Sequence, residues 1–127
     1  MMGWKNKPTE FIRVIEQELT QTHKKIVADT LQGVVLTSPV DTGAFRGNHR
    51  VSIGSVDATA SSSEKDTSGA GTISKGLQNL IALKPFQTVY ISNSLPYAYR
   101  LENGWSDQAP QGIYRTTFTY ITQKYGG

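Results

Sequence analysis

Apolar residues in the first third of the chain return at helical intervals. Phe11, Ile15, Leu19, Ile26, Leu31 and Val34 fall at steps close to 3.6 residues, and Ile12, Val27 and Val35 widen the stripe. Arg13, Glu16, Lys24, Lys25 and Asp29 occupy the other face. The pattern predicts one long helix from Thr9 to about Leu36, with Thr9 as its cap and Glu10 in the first turn, where the helix dipole favours an anion. Pro39 stops it, because the residue before a proline avoids helical backbone angles. At 1.5 Å per residue such a helix is roughly 42 Å long, which is long for a small domain. Its stripe therefore has two readings: core packing along the whole length, or contact of one part with a neighbouring subunit.

Beyond Pro39 the period changes. Val51, Ile53 and Ser55 alternate with Ser52, Gly54 and Val56, predicting a short strand over 50–56. From Ser55 to Thr72 thirteen of eighteen residues are Ser, Thr, Ala or Gly, and Val56 is the only large apolar one. A segment so poor in apolar surface cannot offset its ordering entropy, so a mobile loop or an extended hairpin tip is expected there. A phosphate loop at its "GAGT" run is the functional alternative, but the run lacks the lysine and the preceding buried strand that such loops need. Ile73, Leu77, Leu80 and Ile81 predict a helix over 72–83, ended by Pro85. "FQTVYIS", residues 86–92, is the strongest strand in the chain, rich in β-branched and aromatic residues. A turn through Asn93-Ser94-Leu95-Pro96 leads to a short helix over 97–103, closed by Gly104. In residues 113–125 a helical stripe (Tyr114, Phe118, Ile121, Tyr125) competes with the strand propensity of "TTFTYIT", and we read a helix. The sum is a single α+β domain over residues 1–127. A long N-terminal helix packs on a small, mostly antiparallel sheet, with a further helix and a C-terminal helix.

Composition narrows the chemistry. The chain has 127 residues, no cysteine and two histidines, so disulfides and thiolate metal sites are excluded and a histidine zinc site is not expected. No apolar run approaches the ~20 residues that span a bilayer, and the start lacks the apolar core of a signal peptide. A net charge of +3, spread over thirteen Lys and Arg with no run longer than Lys24-Lys25, permits weak attraction to nucleic acid without marking a dedicated binder. A small basic nucleic-acid-binding module, with aromatics beside basic residues at Tyr99-Arg100 and Tyr114-Arg115, is the alternative reading from another class.

The run "SPVDTGAFRGN", residues 38–48, contains the Asp-Thr-Gly of dimeric aspartic proteases. That chemistry needs two carboxylates about 3 Å apart on paired loops that follow buried strands. Here Asp41 follows Pro39 at the end of a helix, and "QGIYRTTF" is a poor supporting strand. Asp41 reads instead as a turn cap taking the free amides of Gly43 or Ala44. A protease would lose activity on Asp41→Asn; a cap would lose about 1 kcal/mol of stability. Ser38, Ser52 and Ser106 lack any signature placing a His partner, and Asp41, Glu102 and Asp107 follow no metal-ligand spacing. The sequence thus offers no active site and no cofactor.

Taken together, "SPVDTGAFRGN" after a long helix and "VYISNSLPYAYRLENGWSDQAPQG" resemble the small tail-component proteins of long-tailed bacteriophages, the neck or tail-completion proteins of the head-tail joining genes. The matching pieces are Ser38 to Arg46 (with Pro39, Asp41, Thr42 and Gly43), Asn93 to Gly104 (with Tyr97 and Glu102), and Ser106 to Gly112 (with Ala109 and Pro110). The resemblance covers roughly residues 10–125, and 55–72 is where such proteins vary most. It implies a structural α+β subunit of the virion, assembled in the host cytoplasm as a homo-oligomeric, hexameric ring. The ring would join the head connector to tail-terminator or tail-tube proteins, with DNA passing through it and no membrane involved. On the residues themselves, Asp41 and Asn93 are turn-makers, and Gly43 and Gly104 offer positive φ. Tyr97, Tyr99, Arg100 and Trp105 are half-buried side chains or interface anchors. Glu102, near Arg46 or Arg100, would pair to tie two loops together.

Overall fold

The computed structural model describes residues 8–40, 42–103, 108 and 112–126, without the side chains of 8–16 and 99. The chain order is α1 (Pro8–Leu36), α2 (Ala44–Gly47), β1 (Arg50–Ile53), α3 (Ala70–Asn79), β2 (Val89–Ser92), α4 (Ala98–Glu102) and α5 (Tyr114–Tyr125). The α+β class, the long N-terminal helix, the small sheet and the C-terminal helix all stand as the sequence predicts. The sheet is two antiparallel strands, with Arg50 opposite Ser92 and Ile53 opposite Val89.

Val27, Leu31, Val34 and Val35 supply one wall of the core. Phe45, Val51, Leu80, Leu95 and Ile113 close it from α2, β1, the end of α3, the turn after β2 and the start of α5. The helical stripe is buried only in its second half: Leu19 is 48% exposed and Ile26 half-buried. Phe11, Ile12 and Ile15 lie outside the described side chains. Helix α5 comes close to α1 at Gly33, where an added Cβ would sit 2.7 Å from Thr117 Cγ2.

Three elements differ from the sequence expectation by more than a residue, each for a local reason, and α1 starts at Pro8, which puts Thr9 inside the helix rather than at its cap. Strand β1 stops at Ile53 rather than residue 56, because Gly54 turns away at φ +88° while its N–H still donates to Thr88 O. Strand β2 starts at Val89 rather than residue 86, since the Pro85-Phe86 turn puts Phe86 at φ +67°, a left-handed conformation uncommon for a bulky residue. Helix α3 runs from Ala70 to Asn79 rather than 72–83. The Ser68 hydroxyl accepts from Ala70 N–H, and the Asp66 carboxylate accepts from the N–H groups of Gly69 and Thr72, so the helix begins earlier. At its other end Leu80, Ile81 and Leu83 tighten into three-residue hydrogen-bonded turns.

Residues 54–69 carry no helix or strand, but they do not stand off as a hairpin tip. Asp66 N–H donates to Gly43 O at 2.9 Å, Ser61 N–H donates to Asn48 Oδ1 at 2.8 Å, and Arg50 bridges to Glu64 at 2.9 Å. Polar bonds hold a segment whose own sequence supplies little apolar surface.

Candidate functional site

The run 38–50 is built on the end of α1. Thr37 and Ser38 hydroxyls donate back to Gly33 O and Val34 O, satisfying carbonyls that the last helical turn leaves open. Pro39 is buried behind them. The Thr42 hydroxyl accepts from Ala44 N–H at 3.2 Å, the role the sequence assigned to Asp41, which lies outside the described residues. Gly43 takes φ +80°, and a Cβ there would meet the backbone nitrogens of Asp66 and Thr67 at 2.9 Å. Glycine is required both for the turn and for the loop that crosses it.

Arg46 is a clamp. Its Nη2 donates to Ser38 O at 2.9 Å and Leu36 O at 3.3 Å, and its Nη1 to Thr67 O at 2.8 Å. A guanidinium on the last carbonyls of α1 opposes the negative end of the helix dipole and ties the loop to that end. The expected pairing of Arg46 with Glu102 is not made. Glu102 turns its carboxylate to the first turn of α5 instead: Oε1 accepts from Ile113 N–H (3.0 Å) and Tyr114 N–H (2.8 Å), and Oε2 from Arg115 N–H (2.9 Å). A side chain from α4 thereby caps α5, because the free amides of a helix start attract a carboxylate more strongly than an arginine already committed to carbonyls. Gly112, at φ +88°, permits the approach, since a Cβ would lie 2.5 Å from Glu102 O.

Asn93, Tyr97 and Gln108 join the same body. Asn93 Nδ2 donates to Phe45 O at 2.8 Å, and its Oδ1 accepts from Leu95 N–H. The Tyr97 ring lies 6.4 Å from that of Phe45, and burial raises its hydroxyl pKa. Gln108 Oε1 accepts from Val40 N–H at 2.9 Å. Arg100 is exposed on α4. Gly104, Trp105, Ala109 and Pro110, and the Tyr99 side chain, lie outside the description.

Four residues that the sequence reading did not single out hold this body together. Asn48, 0% exposed, donates from Nδ2 to Ala44 O and Ser61 O and accepts at Oδ1 from Ser61 N–H and Arg50 Nη2. Arg50 adds bonds to Thr59 and the bridge to Glu64. Asp66 caps α3; partial burial pushes its pKa up, but hydrogen bonds from Thr72, Gly69 and Ser68 leave it lowered. His49 sits between Ser38 Oγ, 2.7 Å from Nε2, and Tyr114 Oη, 2.8 Å from Nδ1. The available signal was "RGNHR" itself, a dense group of fork and amide side chains just before a segment whose backbone has few apolar means of holding itself.

A serine beside a histidine invites a nucleophilic reading, and the protons decide against it. Ser38 has one hydroxyl proton, and Val34 O stands 2.5 Å away to accept it. His49 Nε2–H then donates to Ser38 Oγ, and Tyr114 O–H donates to Nδ1; the tautomer follows from these partners. Every proton is used, and Ser38 is 3% exposed. Burial, then the charges of Arg46 and Arg50, pull the His49 pKa down to about 3, keeping it neutral. Burial, then Glu102, raises that of Tyr114. The chain Val34–Ser38–His49–Tyr114 pins the end of α1 to the start of α5. The Thr42-Gly43 turn follows helix α1, so it lacks the strand-mounted support that an aspartic dyad needs.

Among the described residues no three of His, Asp and Glu converge as metal ligands, and no helix is long and apolar enough to cross a membrane. A groove of about 580 Å³ beside the 63–66 loop mixes Arg50, Lys65 and Lys75 with Glu64 and Asp66, so its charges largely offset. Comparison of the chain with protein-family models, with curated proteins and with solved structures finds no match in any of the three.

Proposed function

We propose that the protein is a structural subunit of a phage neck or tail, forming a ring that joins the head connector to the tail tube and lets DNA pass. The observation that carries this reading is the meeting of its two signature stretches. Far apart in the chain, the two stretches meet at their described residues, where Asn93 donates to Phe45 O and Gln108 accepts from Val40 N–H. Side chains there are spent on shape: Arg46 on carbonyls, Glu102 on amides, His49 between two hydroxyls. Large apolar side chains remain in water, with Ile81 at 77% and Phe118 at 70% exposure, as expected of a subunit that buries them against neighbours. The test is native mass measurement of the purified protein, alone and mixed with the connector and tail proteins of the same phage. A ring-sized homo-oligomer or a complex with those proteins is expected. A chain that stays monomeric with every neighbour overturns the proposal.

A further inference from the structure

Helix α1 carries two different apolar grooves. One, of about 440 Å³, is mostly apolar, lined by His23, Ile26, Val27, Thr30 and Val34 of α1 together with Val89 and Ile91 of β2 and Tyr114, Phe118 and Ile121 of α5. The other, of about 330 Å³, is lined by α1 positions 21, 24, 25 and 28 together with Leu77, Leu80 and Ile81. At 100° per residue these two sets of positions fall on opposite faces of the helix.

The two surfaces differ in kind. The first is a groove with no Lys, Arg, Asp or Glu in its lining and an aromatic rim, the ring of Phe118. The second is a shallow hollow bordered by a ridge, Ile81 and Leu77, which stand exposed beside Lys24 and Lys25. Each offers what the other lacks: aliphatic side chains for an apolar groove, and ammonium groups for the face of an aromatic ring. A two-fold interface is reciprocal, so ridge-in-groove contact across it would need both surfaces on one side of the molecule; on opposite faces of α1 they cannot pair that way. A closed head-to-tail arrangement buries both faces of every copy.

We infer that the partner of each groove is a second copy of this chain, the Leu77–Ile81 ridge of one copy seating in the α1/β2/α5 groove of the next, with the Phe118 ring reaching Lys24 and Lys25. The inference rests on the assembly reading above and names the surfaces that carry it. Contacts of this heterologous kind close into rings when the rotation allows.

The absence of cysteine makes a clean test. Gln78→Cys, beside the ridge, and Thr119→Cys, beside Phe118, replace exposed side chains. The two variants are mixed and treated with a short bismaleimide. A mixed crosslinked pair is expected, with little product from either variant alone. Phe118→Ser and Ile81→Ser, both at exposed positions, should each weaken self-association roughly tenfold or more with the melting temperature of the monomer unchanged. Self-crosslinking of either variant in place of the mixed product, in an oligomer that persists, overturns these faces and leaves the ring reading standing. A chain that is monomeric both alone and with its neighbours overturns both.

Discussion

Asn48 uses both ends of its amide with no exposure to solvent, so its loss leaves several backbone groups buried without partners. Asn48→Ala should cost about 2–4 kcal/mol, read as a lower urea midpoint at unchanged slope. His49 makes stability depend on pH in a defined direction. Its pKa is about 3 in the folded chain against an ordinary 6.5, so below 6.5 the unfolded chain binds the extra proton. Stability from this group is complete above about pH 6.5 and falls as the pH drops toward 3, at up to about 1.4 kcal/mol per pH unit. Asp29, Asp57 and Asp66, all with lowered pKa values, add a loss of the same sign only in the more acidic range. Urea midpoints between pH 7 and 5 should decline in the native chain and stay nearly flat in His49→Gln. An equal decline in both would assign the effect elsewhere.

At the level of elements, α5 depends on a residue of another helix. Glu102→Ala should cost about 1–2 kcal/mol and, more specifically, speed hydrogen exchange at the amides of Ile113, Tyr114 and Arg115 while those of α3 stay protected. This cap also marks the limit of what the sequence disclosed. The helices were legible because their apolar residues repeat at fixed spacing: Leu31, Val34 and Val35 announce a buried face, and Tyr114 with Ile121 announces α5. Strand ends were less so, since Gly54 and Phe86 stop β1 and β2 through backbone angles that no alternation pattern encodes. Polar roles were least legible. Glu102 looked like a partner for arginine because charge alone is visible in a sequence, whereas the free amides of α5 exist only once the helices are placed. Residues 55–72 looked unrestrained for the same reason, their anchors being Asn48, Arg50 and Gly43 outside the segment.

For the molecule as a whole, at least three of the thirteen Lys and Arg are engaged within the fold, and in sequence no basic run exceeds Lys24-Lys25. Arg46 lies on carbonyls, Arg50 on Glu64, and Lys124 on Asp29. The isolated chain should therefore bind duplex DNA only in the range of non-specific attraction, roughly 10⁻⁴ to 10⁻⁶ M at physiological salt. Fluorescence anisotropy with a labelled duplex measures this, and nanomolar binding would favour the nucleic-acid module over a ring through which DNA slides.

The sheet has a kinetic consequence. Strands β1 and β2 pair directly although residues 54–88 all lie between them, so the sheet forms only after a long chain closure whose entropy must be offset first. Asn48, just ahead of β1, fastens to Ser61 through two bonds and draws the first part of that span inward. The remaining closure is shorter and ends with α3 already against β1. The expectation is that Asn48 contributes to the folding transition state as well as to the finished fold. In stopped-flow experiments Asn48→Ala should slow refolding more than it speeds unfolding, whereas Glu102→Ala, acting on the C-terminal helix outside that closure, should do the reverse.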